Sequence, residues 1–499
     1  MTDDQMTIAE IHDAILAGRL TTRRLVEVYL ARIEACDREG PRLNSIITVN
    51  PRALETADAL DESFAHTGRF AGPLHGVPVI VKDNIDTYDL PTTAGSATLA
   101  HSVPPEDAFI VKRLREAGAI ILAKANMAEF AFNPYETIGS AIEGHTRNPY
   151  ALDRVPAGSS GGTAAAIAAN FGAVGLATDT GNSIRGPAAH TALVGIRPTM
   201  GLVSRTGIVP LYLDKDIAGP MARTVADAVA LLDVIAGHDP ADPTTSASRH
   251  HFANRYAGHL RADGLQGKRI GVLRQVSNTP TADPEVLACF GEALDTMRAA
   301  GVTIVDPVNI PGYDEIMRHP LWCISFREDI EAYLARLGPD APVRTLAEII
   351  EGGHFHPSIE GHLLMAAAAA DRPETAEECL AAAENSERLR TAIRQTLATD
   401  ELDALAYPTW NNPPRLIGDL RSPHGDNNQH LAPPTGFPAI SIPMGYIDAD
   451  LPEGPPGSPG LPVGLQILGD AWSEGRLIEV AYAFEGETVV GSRSSVVGC

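Results

Sequence analysis

Ala157-Gly158-Ser159-Ser160-Gly161-Gly162 is followed by Gly175-Leu176-Ala177-Thr178-Asp179-Thr180-Gly181-Asn182-Ser183-Ile184-Arg185-Gly186-Pro187-Ala188-Ala189. Between them lies an alanine-rich run, Thr163 to Asn170, whose composition predicts a helix. Ala173 to Ala177 predicts a buried strand. Each glycine-serine cluster therefore sits at the end of a regular element. Gly and Ser dominate turns for backbone reasons, so a flexible loop is one reading of the first cluster. A second reading is literal: Gly158 to Gly162 fits G-x-S-x-G with Ser160 at its centre, the nucleophile elbow of an α/β-hydrolase. That motif needs a buried strand just before the serine. Tyr150 to Ala157 carries charge and a proline and makes a poor central strand.

Reading outward, Val77-Pro78-Val79-Ile80-Val81 predicts a short strand that stops at Lys82. Its proline stands near the start, where a strand tolerates one. Val111 to Ala117 reads as helix, and Ala119 to Ala123 as a strand running into Lys124. Strand, helix and strand again is the rhythm of an α/β core. Thr7 with Glu10 resembles a capping box ahead of Ile11, Ile15 and Leu16. Thr21 or Thr22 caps a second predicted helix through Ile33. Near the end, Ala439 to Pro443 and Pro462 to Leu468 read as two strands separated by the Pro/Gly-rich stretch Leu451 to Gly460. Residues 242–400 show helical stretches, such as Ala376 to Thr396, and little strand signal.

Taken together, the two clusters resemble the signature of the amidase signature family. Gly195-Ile196-Arg197-Pro198-Thr199 and Gly219-Pro220-Met221-Ala222-Arg223-Thr224 continue the likeness. Gly76-Val77-Pro78 leading into Lys82-Asp83-Asn84 resembles the family's lysine motif, and Leu461 to Gln466 its C-terminal strand. The resemblance spans about residues 5 to 240 and 400 to 485. It implies an α/β fold with one large mixed sheet flanked by helices. Residues 1–499 then form one domain, with 242–400 an added helical region that shapes the substrate pocket.

The resemblance also implies a Ser-cisSer-Lys triad: Ser183 as nucleophile, Ser159 as bridging serine after a cis peptide, Lys82 as base. The chemistry is sensible on its own terms. A serine hydroxyl is a weak nucleophile and needs a base within hydrogen-bond reach. A lysine serves only when neutral, and burial lowers its pKa toward that state. Consecutive amides of Thr180, Gly181, Asn182 and Ser183 are the candidate oxyanion hole. The family often has glycine where this chain has Asn182, which narrows the pocket and bears on the substrate. Asp179 and Arg185 read as an ion pair supporting the loop, and Ser160 as a hydrogen-bonding residue. Phe130, Phe132 and Tyr135 are candidates for pocket wall or core.

The expected reaction is hydrolysis of a small-molecule amide through an acyl-enzyme on Ser183. An esterase, aryl-acylamidase or carbamate hydrolase would use the same triad. The family also contains the amidase subunit of a tRNA-dependent amidotransferase. Asp and Glu outnumber Lys and Arg, 63 to 39, for a net charge of −24. That balance repels phosphate backbones and anionic lipid, so no nucleic-acid or membrane partner is expected. A homodimer is compatible with this reading. Met1 to Gln5 has neither basic nor apolar signal character. The five cysteines are scattered, which predicts reduced thiols and a cytoplasmic location. His354, His356 and His362, and the pair His250-His251, lack metal-ligand spacing. No metal and no cofactor is expected, and no nucleotide-binding glycine motif is present.

Overall fold

A strand buried on both faces needs an unbroken apolar run, and several such runs in this chain end in one sheet. The computed structural model describes residues 5–251, 255–369, 375–448 and 460–488. Among the described residues the strands are β1 (Ile46–Val49), β2 (Pro78–Lys82), β3 (Ile120–Ala125), β4 (Val174–Asp179), β5 (Val194–Arg197), β6 (Ile217–Ala222), β7 (Arg269–Val272), β8 (Thr303–Val305), β9 (Ala404–Pro408), β10 (Ala439–Ile447) and β11 (Leu461–Leu468). They form one 11-stranded sheet in the order β1-β3-β2-β4-β6-β5-β10-β11-β9-β7-β8. β2 runs parallel to β3 and β4, and β7 parallel to β8 and β9. The other pairings are antiparallel, so the sheet is mixed. Helices flank it.

The alanine-rich run is the helix Gly161–Ala168, with all its residues buried. Small side chains let it lie close to the sheet. A Cβ on Gly162 would stand 2.1 Å from the Asn126 carbonyl oxygen, and one on Gly175 would meet the Thr163 methyl at 2.5 Å. The two signature glycines are therefore packing requirements. At the N-terminus Thr7 and Glu10 form the expected capping box on the helix Ile8–Leu16.

Residues 242–400 depart from the helical expectation. They hold the long helices Pro284–Ala299, Phe326–Arg336 and Glu377–Thr399, but also β7 and β8 at one edge of the sheet. The apolar run Ile270-Gly271-Val272 is too short to register as periodicity, and β8 is only partly covered. The expectation of reduced thiols is also corrected. Cys323 and Cys379 form a disulfide across a sequence separation of 56, a pairing no local pattern announces. Cys289 is free. Met1 to Asp4 and most of the Leu451–Gly460 stretch lie outside the described residues. No described helix is long and apolar enough to cross a membrane.

Candidate active site

Lys82 is the last residue of β2, and its side chain is wholly buried. Its Nζ donates to Ser159 Oγ at 2.7 Å, to Thr178 Oγ1 at 2.7 Å and to the Thr178 carbonyl at 3.4 Å. All three partners are neutral. Burial lowers the Lys82 pKa to about 7, and the more distant Asp179 and Asp216 charges only partly offset it. The neighbouring buried lysine makes a useful contrast. Lys124 Nζ lies 3.4 Å from Asp83 Oδ1, so a carboxylate shares its burial. Of the two, Lys82 is the amine whose charge has no contacting counter-ion.

Ser159 begins the glycine-rich turn after a cis peptide from Gly158. Gly158 passes between two carbonyls: a Cβ there would lie 2.5 Å from both Asn133 O and Glu136 O. Ser160 Oγ donates to the Thr178 carbonyl at 3.0 Å, the local role its position predicted. Thr178 thus receives both turn and lysine, and Asn84 Nδ2 adds a 3.1 Å bond to its hydroxyl.

Ser183 stands just past β4, on the turn Thr180 to Asn182. Its Oγ is 3.4 Å from Asn182 Oδ1, and no hydrogen bond joins it to Ser159 among the described residues. The structure therefore joins Lys82 to Ser159, while the Ser183 hydroxyl faces Asn182 rather than Ser159. Catalytic hydrogen bonds are often this loose without substrate. The amides of Gly181, Asn182 and Ser183 donate to no acceptor among the described residues. Three unsatisfied donors beside a hydroxyl are suited to an oxyanion. Thr180 is fixed by its own hydroxyl, which donates to Asp216 Oδ1 at 2.5 Å. Burial pushes Asp216 up to about 7, against bonds from Thr180 and the Leu211 amide.

Beneath this turn, Asp179 is clamped by two buried guanidiniums. Arg185 Nε reaches it at 3.0 Å and Arg197 Nη1 at 2.8 Å. Burial would raise the Asp179 pKa, but Arg185 and Arg197 outweigh it and hold the carboxyl at about 2. Arg185 also donates to the Gly181 carbonyl at 2.7 Å, which ties the clamp to the turn. The expected Asp179–Arg185 pair is present, and Arg197 is its unanticipated second cation.

A cleft of about 240 Å³ opens over Ser183, with the Thr180–Asn182 turn in its wall. Its outer part comes from the 242–400 region, which is pinned to the core by bonds from Tyr333 Oη to Asp86 at 2.8 Å and from the His356 amide to Glu129 at 2.8 Å. Phe132 lines the cleft, whereas Phe130 packs with Phe326 in the core. Tyr135 lies outside, against Trp410 and His424.

The Amidase family model matches residues 24–478. The chain belongs to the amidase signature family. It is an amidase, and so a hydrolase. A probable amidase of Arabidopsis thaliana is 36% identical over 97% of this chain and 90% of its own length. The A subunit of a glutamyl-tRNA(Gln) amidotransferase from Acinetobacter baumannii is 34% identical over 98% of this chain and 97% of its own length. The crystal structure of native peptide amidase from Stenotrophomonas maltophilia superposes with a TM-score of 0.86, at 37% identity and 97% coverage of both chains.

Within this amidase, Asn182 stands where the resemblance led to an expectation of glycine. Its backbone is not left-handed, so no glycine is demanded there. Its side chain donates to the Pro134 carbonyl at 3.2 Å and to Asp426 Oδ2 at 3.3 Å. Gln429 donates to the same carboxylate oxygen at 2.7 Å. Thr178 and Asn84 lay within the quoted motifs but carried no recognisable role. Asp216, Asp426 and Gln429 gave no signal beyond the polar run Asp426-Asn427-Asn428-Gln429. His362 stacks on Phe132, and His356 bonds to Ser358. Among the described residues no group of three or more His, Cys, Asp or Glu is placed to hold a metal ion.

Proposed function

We propose that this amidase hydrolyses a small-molecule carboxamide through an acyl-enzyme on Ser183. Ser183 Oγ attacks the carbonyl carbon while its proton passes to Ser159, whose own proton passes to neutral Lys82. The amides of Thr180, Gly181, Asn182 and Ser183 receive the oxyanion; one such donor is typically worth about 3–4 kcal/mol. Collapse breaks the C–N bond, and the leaving nitrogen takes a proton back through Ser159. Water then enters by the same relay and releases the carboxylic acid.

The observation that carries this reading is the 2.7 Å bond between a fully buried Lys82 and Ser159. A buried amine with only neutral partners is ready to accept a proton near neutral pH. The test is mass spectrometry on a panel of primary amides, anilides, carbamates and esters, with wild type and Ser183→Ala side by side. Serine-dependent release of acid and amine, with a transient acyl mass on wild type, is expected. Equal turnover by Ser183→Ala would reject the nucleophile.

The 34% identity to an amidotransferase A subunit favours a second reading, in which the amide is glutamine and partner subunits take up the ammonia. Glutamine hydrolysis appearing only with added partner subunits would select it.

A further inference from the structure

The cleft beside Ser183 has a pronounced chemical bias. Phe132 and His362 are stacked with ring centroids 5.2 Å apart and planes within 8°. Tyr212 and Trp322 form a second aromatic pair, 6.4 Å apart at 56°. All four rings line the same 240 Å³ cleft as Ser183. Phe132 is held from behind by Phe326, edge-on at 4.7 Å. Trp322 is held through its neighbour, because Cys323 is bonded to Cys379 on the helix Glu377–Thr399. Rings already paired across the cleft favour a flat guest, since aromatic pairs gain beyond their simple area burial.

The opposite end of the site is closed. Lys82, Ser159 and Ser160 have no exposed surface, and Thr178 and Asn84 have 4% and 3%. A separate void of about 10 Å³, the scale of one water, lies between Thr178, Thr180 and the 208–217 segment. The leaving nitrogen takes its proton from Ser159, and with Lys82, Ser159 and Ser160 fully buried that side favours a small substituent.

We propose that the substrate is a primary amide with a planar aromatic acyl group, held among Phe132, Tyr212, Trp322 and His362 while ammonia leaves toward Ser159. This rests on the acyl-enzyme reading above and names its substrate class. No residue of the aromatic set takes part in bond making; these four determine specificity.

The experiment compares phenylacetamide, cyclohexylacetamide, acetamide and acetanilide on wild type, Trp322→Ala and Trp322→Phe. Phenylacetamide should exceed both cyclohexylacetamide and acetamide in kcat/KM by about tenfold or more, mainly through KM. Trp322→Ala should cut the phenylacetamide-to-acetamide ratio about tenfold, and Trp322→Phe should largely keep it. A parallel titration with phenylacetate, the acid product, should show weaker binding by Trp322→Ala than by wild type. Preference for acetanilide would put the ring on the amine side and overturn the proposal. So would equal rates with the cyclohexyl compound, or phenylacetate binding indifferent to Trp322. Turnover that survives Ser183→Ala would instead overturn the acyl-enzyme reading, leaving the binding result to judge the cleft.

Discussion

Lys82 Nζ lies 2.7 Å from Ser159 Oγ, and neither residue has any solvent-exposed surface. A lysine in that position has to be neutral to work, and neutrality comes from desolvation. Lys82→Ala should therefore lower kcat by several orders of magnitude with the fold intact. Lys82→Arg should do no better, because a guanidinium cannot be deprotonated at working pH. Steady-state kinetics with far-UV circular dichroism as fold control checks both. Turnover within tenfold of wild type in either variant would remove Lys82 from the role of base.

The pH dependence follows from the same burial. Lys82 loses its proton at about 7 in the folded protein, so kcat/KM should rise as pH increases through that value. The Asp216 charge raises the Lys82 pKa, while its own pKa is pushed up to about 7 by burial. Asp216→Asn removes a negative charge that favours protonated Lys82. The rising limb should then move to lower pH. A limb that stays in place, or moves to higher pH, would contradict an effect of the Asp216 charge on Lys82.

Asn182 binds Asp426 and the Pro134 carbonyl with one amide group. Asn182→Ala should leave the backbone turn intact, since no left-handed conformation is needed. It should loosen the link between the turn and the Asp426–Gln429 wall. Two neutral or charge-assisted bonds at roughly 1 kcal/mol each predict a loss of up to about 30-fold in kcat/KM. The check is a comparison of kcat and KM on one primary amide. An unchanged kcat/KM would make the Asn182 side chain a bystander.

These outcomes show where sequence was informative. The first glycine-serine turn was legible because packing fixes it: Gly158 and Gly162 face backbone carbonyls that leave no room for a Cβ. Lys82 was legible as the polar stop of an apolar strand. Asp426 was not, because its partner Asn182 is 244 residues away. Trp322 and His362 reached the cleft through long-range packing of a region whose own pattern looked merely helical. β7 and β8 escaped notice because strands of four and three residues leave too short a period to see. The Cys323–Cys379 disulfide had no local signature either.

The clamp beneath the Thr180–Ser183 turn predicts an acid-sensitive fold. Asp179 has a folded pKa of about 2 against an ordinary 3.8. A depressed carboxylate contributes stability that is fully present above its unfolded pKa and lost as pH falls through its folded one. That contribution should fade between about pH 4 and pH 2. Asp179→Asn leaves Arg185 and Arg197 buried without a counter-ion. Breaking a buried pair on one side typically costs about 3–5 kcal/mol. Urea denaturation at pH 7 should show that loss, with a smaller difference from wild type near pH 2. A difference that does not shrink at low pH would mean that Asp179 acts through its shape rather than its charge.

Gly162 offers the most direct test of how the site is held. The helix Gly161–Ala168 lies against the sheet and against Asn126, the residue just past the end of β3. A methyl group on Gly162 would stand 2.1 Å from the Asn126 carbonyl oxygen and 2.7 Å from its amide nitrogen. Both atoms are backbone, so no side chain can rotate away. Helix propensity pulls in the other direction, since Ala is favoured over Gly by up to about 1 kcal/mol in a helix interior. Overpacking typically costs about 1–3 kcal/mol and more where backbone must move. Collision should therefore win, and Gly162→Ala should lower Tm. Movement of the helix would also carry Ser159 away from Lys82, so activity at permissive temperature should fall as well. If Gly162→Ala instead raises Tm and keeps full turnover, the helix has room that the packed interface does not provide, and the glycine owes its place to something other than contact with Asn126.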